Sequence, residues 1–194
     1  MSYARVYGGV AVITQLRAPA TSSAPALLLR PWLERDLPAL VTVYRDRDLR
    51  RYTRMPVAGD EDGLRWLEIR QRGWRTGTYL GFAVFEERGD GGEGPLVANV
   101  ALKRPEAGLP GAEVGYWTAA TARGRGVAPR ALEALIEWAF DHCTGDLEYL
   151  ELLHQVDNTA SCRVAQKCGF AYRTTLPPRP PFPNDAHLHI RRGP

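Results

Sequence analysis

Between residues 123 and 128 the chain reads Arg123-Gly-Arg-Gly-Val-Ala128. The segment joins a strand-like run, Ala112 to Thr118, to the clearest helical pattern in the sequence, Gly126 to His142. In that helix Ala128, Leu132, Leu135 and Ala139 form one apolar stripe. Two glycines let backbone approach a ligand closely, and the helix behind them offers unpaired N–H groups and a positive dipole end. Such a terminus takes up phosphate. Pro129 sits in the first turn, where its missing N–H costs little. Taken alone, the pattern is equally a flexible strand-to-helix turn. It is neither a P-loop, since Gly-x-x-x-x-Gly-Lys-Ser/Thr does not occur, nor a dinucleotide fingerprint, since the spacing fails.

Downstream lies Asp157-Asn-Thr-Ala-Ser-Cys-Arg-Val-Ala-Gln-Lys-Cys-Gly-Phe170. Asn158 is a favourable N-cap, and Gly169 before apolar Phe170 is a favourable helix stop. On the helix between them Ser161, Val164, Ala165 and Cys168 share a face. That face is apolar except at Ser161, whose hydroxyl either satisfies nearby backbone or looks into a cavity.

Outward from these segments, the pattern reads as a strand at Ala26 to Arg30 and helices over Glu34 to Tyr44 and from Asp60 through Trp74. Strands follow at Tyr79 to Phe85, Leu96 to Leu102 and Ala112 to Thr118, the first two joined across a glycine-rich loop, Glu87 to Gly94. After the long helix, Leu147 to His154 reads as a strand buried on both faces. A helix over Asn158 to Cys168 leads to strands at Phe170 to Thr174 and Ala186 to Ile190, around a proline-loaded loop, Pro177 to Pro183. The fold class is therefore α/β (α+β): a single domain with a mixed, mostly antiparallel central sheet flanked by helices. Residues 1–25, with a possible strand over Gly9 to Leu16, read as an N-terminal extension and connector, and residues 26–194 as the domain.

The chain has 194 residues, 44% of them hydrophobic and 24% charged, which excludes a disordered or fibrous protein. No run approaches 18 apolar residues, so no membrane span is expected. Three cysteines cannot form a fully paired framework, which points to a reduced cytoplasm. Lys103 and Lys167 are the only lysines among 25 cationic residues, but a net charge of +3 without a basic stripe argues against nucleic acid. Between Arg45 and Arg75 nine arginines face six acids, either a cationic rim or a solvated surface. His187 and His189 alternate on one strand face, yet no second pair of ligands has metal spacing, so no metal is expected. Cys162 and Cys168, six apart, read as buried thiols rather than a redox pair.

Together the two segments resemble the GNAT family of N-acetyltransferases. Arg123-x-x-Gly126-x-Ala128 matches the family's acyl-CoA signature, and the Asn158-x-x-Ser161 helix ending in Gly169-Phe170 matches its downstream motif. Val114-Gly-Tyr-Trp117 and Val156-Asp-Asn-Thr-Ala-Ser161 are most similar to the RimJ/RimL-like ribosomal-protein alanine N-acetyltransferase branch. The resemblance spans about residues 26 to 190. It implies two central strands that splay apart, with acetyl-CoA as co-substrate and an amine acceptor. Gly124, Arg125, Gly126, Val127 and Ala128 would cradle the pyrophosphate through backbone N–H groups, with Arg123 and Arg125 adding charge. Tyr116, Trp117 and Thr118 would run beside the pantetheine arm, Asn158 would hydrogen-bond it, and Arg163 or Lys167 would approach its nucleotide end. Ser161 would be the general acid for the thiolate, and backbone N–H near Trp117 would hold the oxyanion.

The acceptor and the base are less defined. An α-amine with pKa near 7.8 is roughly 14% neutral at pH 7 and a lysine about 0.04%, a difference of about 3.5 kcal/mol. A peptide N-terminus or other weakly basic amine therefore hardly requires a dedicated base. Glu113 is the candidate, through water, with Asp185 the one carboxylate of the 180–185 region as the other. Acetylation of an antibiotic or metabolite amine, and a non-catalytic acyl-CoA-binding regulator on the same fold, are the alternatives; the oligomeric state, including a homodimer, is left open.

Overall fold

A computed structural model describes residues 14–104, 108–143 and 147–194. Along the chain run β1 (Leu16–Ala18), β2 (Leu27–Pro31), a 3-10 turn (Glu34–Asp36), α1 (Leu37–Val43), α2 (Arg47–Tyr52) and α3 (Asp60–Thr76). There follow β3 (Tyr79–Glu87), β4 (Glu93–Lys103), β5 (Gly111–Thr118), a second 3-10 turn (Ala120–Ala122), α4 (Val127–His142), β6 (Tyr149–Gln155), α5 (Thr159–Lys167), β7 (Ala171–Leu176) and β8 (Ala186–Arg192). The strands form one sheet in the order β1-β2-β3-β4-β5-β6-β8-β7. Every adjacent pair is antiparallel except β5–β6.

Apolar side chains cover both faces of this sheet, as two-layer packing requires. On one face α4 lays Val127, Ala131, Leu132, Leu135 and Ile136 against Val100, Leu102, Val114 and Leu152, and α5 adds Ala165. On the other, α1 and α3 bring Leu40, Trp66 and Leu67 onto Ala83, Phe85 and Trp117. There Trp32 meets Trp66 edge-on at 5.0 Å, and its indole N–H donates to Asn99 Oδ1 at 2.9 Å. Arg30, buried on β2, donates to both carboxylate oxygens of Asp36 at 2.7 and 2.8 Å and to Glu93 at 2.6 and 2.8 Å.

The β5–β6 seam positions the site. Its register runs from Gly111↔Tyr149 to Val114↔Leu152 and ends there, while β5 continues to Thr118 and β6 to Gln155. The two strands thus part, as the sequence resemblance implied.

Several readings change. The helix α2 was not expected, because its single buried residue, Leu49, creates no apolar period. Within the stretch read as a connector, Leu16–Ala18 is a strand paired to β2, with Leu16 and Ala18 in the core; residues 9–13 of the possible strand over Gly9 to Leu16 lie outside the described residues. β6 alternates, burying Leu150, Leu152 and His154 while Glu151 and Leu153 are half-buried. It is therefore less enclosed than a strand buried on both faces.

Candidate active site

Two clefts open on either side of the parted strands. One, of about 560 Å³, runs past Thr118, Arg123, Gly124, Gly126 and Val127 to Asn158, Arg163 and Lys167. The other, of about 840 Å³, is lined by Tyr79, Lys103, Glu113, Leu153, His154 and Phe182, among others. Tyr52, Thr53, Tyr116, Trp117, Asn158 and Ser161 line both, so the clefts meet at these residues.

The first cleft has the construction of an anion site. Gly124 and Gly126 adopt the left-handed conformation, with φ of +75° and +71°. A Cβ on either would meet no atom within 4 Å, so the space over the loop is open. Gly126 caps α4 without a side-chain hydrogen bond, so no side chain caps the first-turn N–H groups of Val127 and Ala128 beside that space. A diphosphate therefore fits this loop.

The charges are arranged differently from expectation. Arg123 is held by Asp46, with Asp48 at 3.5 Å, and Arg125 donates to Glu86 at 2.5 Å. Arg123 still lines the cleft, but Arg125 does not. Any phosphate drawing on Arg123 competes with Asp46, which sequence spacing could not reveal.

At the junction, alternation along β5 sends Tyr116 toward α5 and Trp117 toward α1 and α3. The Tyr116 hydroxyl donates to Ser161 Oγ at 2.9 Å. Burial pushes the Tyr116 phenol up to about 12, against the opposing effect of the Ser161 hydrogen bond, so it stays protonated across the physiological range. Ser161 is itself buried. Asn158 Oδ1 accepts from the Ser161 backbone N–H at 3.2 Å, fixing the first turn of α5. Tyr116 was read only as a neighbour of the cofactor arm; its link to Ser161 depends on a contact across 45 residues.

Glu113 lines the second cleft, paired with Lys103. It lies three residues before Tyr116, about 10 Å along an extended strand, too far for direct proton exchange at that hydroxyl. Its neighbour across the seam, Glu151, is held above the usual carboxylate range by burial first and by the Glu113 charge second. Asn184 and Ala186 line the cleft but Asp185 does not.

The arginine-rich segment divides. Arg54 and Arg70 line the second cleft, Arg70 stacked on Trp66 and Tyr79 with its guanidinium carbon 4.4 and 4.1 Å from the ring centres. Arg65 and Arg72 form exposed pairs with Glu61 and Glu68. Tyr52 and Thr53, at the end of the unforeseen α2, were missed entirely as site residues.

Residues 26–171 match the family described as Acetyltransferase (GNAT) domain. The chain belongs to the GNAT acetyltransferases. A curated relative, the ribosomal-protein-serine acetyltransferase of Escherichia coli (strain K12), is 28% identical over 158 residues, covering 81% of this chain and 75% of the relative. Among solved structures, the ribosomal α-N-protein acetyltransferase RimL in complex with coenzyme A superposes with a TM-score of 0.76 at 20% identity, covering 91% of this chain and 97% of its own. A microcin self-immunity acetyltransferase in complex with acetyl-CoA and AMP gives 0.75 at 17% identity, covering 89% and 97%. This GNAT chain is thus an acetyltransferase with a RimJ/RimL-like relationship, and no helix among its described residues is long and apolar enough to cross a membrane.

Proposed function

We propose that this GNAT chain transfers an acetyl group from acetyl-CoA to a primary amine, foremost the N-terminal α-amine of a protein. The observation that carries the reading is the junction: two clefts meet where β5 and β6 part, at a buried Tyr116–Ser161 hydrogen bond. Acetyl-CoA supplies a thioester whose carbonyl carbon takes the amine; the C–S bond breaks, the amide forms, and the proton lost by nitrogen ends on sulfur.

The residues take distinct parts. The loop N–H groups of Gly124 to Ala128 hold the diphosphate, with Arg123 beside it and Arg163 and Lys167 near the nucleotide end. Asn158 keeps α5 capped through Oδ1, which leaves its amide N–H groups to bond the pantetheine arm. Backbone N–H next to Trp117, at Tyr116, which alternation turns toward the parted seam while Trp117 pairs with β4, stabilises the oxyanion. Ser161 Oγ accepts the Tyr116 hydrogen bond and gives its own O–H proton to the leaving sulfur as thiolate charge grows. Solvent water, which also carries the amine proton to Glu113, reprotonates Ser161, so the net transfer is one proton from nitrogen to sulfur. Tyr116 acts through Ser161 as a positioning residue. Glu113 collects the amine proton through water.

A protein N-terminus is supported by the relationship to the ribosomal-protein-serine acetyltransferase and by the neutral fraction of an α-amine, roughly 14% at pH 7 against about 0.04% for a lysine. The second cleft, at about 840 Å³, also has the size of a small-molecule site, which favours a metabolite or antibiotic amine as the second reading. Steady-state kinetics on peptides with free N-termini and on a panel of small amines separates the two. Ser161→Ala should lower kcat by about 10²- to 10⁴-fold with little change in KM for acetyl-CoA. An unchanged kcat on every amine that the unaltered protein accepts would overturn the assignment.

A further inference from the structure

Cys162, next to Ser161 on α5, faces the sheet, where three histidines stand. His154 on β6 is directly opposite His187 on β8, and His189 lies two residues along on the same face of β8. One ligand atom from each of His154, Cys162, His187 and His189 lies within 4.8 Å of the others. His154 and His189 are buried, while Cys162 and His187 are half-buried, so the cluster is enclosed but reachable. The spacing reading found only His187 and His189, because the second pair comes from two other elements.

We propose that these four residues form a binding site for one borderline-soft divalent transition metal ion, Zn²⁺ in class, clamping α5 to the β6–β8 pair. Zn–N bonds of about 2.0–2.1 Å and Zn–S bonds of about 2.3 Å give tetrahedral edges of about 3.3 Å between nitrogens and about 3.6 Å between nitrogen and sulfur. His154 Nε2 stands 3.2 Å from His189 Nε2. Cys162 Sγ stands 3.4 Å from His154 Nε2 and 3.5 Å from His187 Nδ1. Three edges of the tetrahedron are thus already drawn without an ion.

The tautomer also suits ligation. His154 Nδ1 is 2.8 Å from the Gln155 carbonyl oxygen, which can only accept, so Nδ1 carries the hydrogen and Nε2 presents its lone pair inward. As a purely hydrogen-bonded cluster, His189 Nε2–H gives to His154 and Cys162 S–H to His187. The Cys162–His154 contact is then left with no proton to fill it, whereas a single ion accepts every lone pair. Three imidazoles and one thiolate match Zn²⁺ or Co²⁺ and discriminate against Mg²⁺ and Ca²⁺, which take oxygen ligands. Tyr172 stands edge-on to His187 and His189 at 5.4 and 5.8 Å between ring centres, walling one side of the site.

Such an ion would hold the first turn of α5, and with it Ser161, against the sheet. Metal content and spectra are read without turnover, so their outcome is independent of the acetyl-transfer assignment. The full chain is stripped with a chelator under reducing conditions, titrated with Co²⁺ and read by absorption; Zn²⁺ retention is counted by mass spectrometry after gel filtration. The expected result is one ion per chain, a tetrahedral cobalt spectrum with a thiolate-to-metal charge-transfer band, and a Tm that rises with Zn²⁺ concentration. Cys162→Ser should lose the charge-transfer band, and His187→Ala should lose retention, each with an unchanged far-ultraviolet circular dichroism spectrum. If either variant unfolds, the band and stoichiometry of the unaltered chain decide alone. No retained ion, or a cobalt spectrum without a thiolate band, would overturn the proposal in favour of a hydrogen-bonded cluster. Retention in both variants equal to that of the unaltered chain would overturn it as well.

Discussion

Tyr116 and Ser161 divide one task between two hydroxyls, and the one-way hydrogen bond from the phenol to the serine makes the division measurable. Tyr116→Phe removes a donor but keeps the ring that packs toward α5. The loss of one neutral hydrogen bond, about 1 kcal/mol, should slow kcat roughly fivefold, less than Ser161→Ala does. Because the phenol is pushed up to about 12, Tyr116 does not ionise below about pH 11. The pH–rate profile of the unaltered enzyme should therefore show no alkaline inflection lost in Tyr116→Phe; an inflection that disappears in that variant would make Tyr116 itself a titrating acid. At this scale the sequence told half the story. Ser161 stood out as a lone hydroxyl on an apolar helix face, whereas its partner, the Asp46 hold on Arg123 and the histidine neighbours of Cys162 all arise from contacts distant in sequence.

Among the elements, the turn into α4 is the most demanding. Left-handed backbone at a residue with a Cβ costs roughly 1–2 kcal/mol, so Gly126→Ala should lower Tm by several degrees, readable by calorimetry. The new methyl would also occupy the open space above the loop, and KM for acetyl-CoA should rise while kcat holds. The side-chain link from β2 across β3 to β4 has its own weak point in Arg30. Arg30→Met leaves Asp36 buried without its partner and should destabilise the fold by about 3–5 kcal/mol in urea. Its contact with Glu93 works in acid too. The hydrogen bond from Arg30, opposed by desolvation, holds the Glu93 carboxyl below its ordinary value of 4.5. A depressed folded value means the contribution is present above about pH 4.5 and fades as pH falls through that lower value. The urea midpoint of the unaltered chain should therefore drop below pH 4.5 more steeply than that of Glu93→Gln. Element positions were largely readable from periodicity; α4 and α5 differ from the sequence reading by single residues at their ends. Glu93 was not, because polar, glycine-rich Glu87 to Gly94 looks like a loop, and β4 already begins at Glu93.

For the whole molecule, β1 is the outermost strand of the sheet and shields the edge of β2. Leu16→Ala should cost about 2 kcal/mol, since Leu16 is 9% exposed and packs in the α4-side core. Removing Leu16–Ala18 should in addition leave β2 with a free edge and promote association, visible by light scattering. The sequence placed a possible strand over Gly9 to Leu16, which overlaps β1 only at Leu16, because the three residues Leu16–Ala18 ahead of Pro19 carry no period of their own.

The short seam between β5 and β6 has a mechanical meaning. Among the described residues the β5–β6 ladder holds four residue pairs, and it joins the β1–β5 leaf to the β6–β8–β7 leaf, with α4 packed mainly along the first leaf and against α5 beside the second. The two leaves are then candidate cooperative units that open separately, with amides of β6 and β8 exchanging together and apart from those of β3 and β4. Filling the wedge with a ligand would weld the leaves, so protection gained on binding should appear across the whole second leaf rather than at the contacting residues alone.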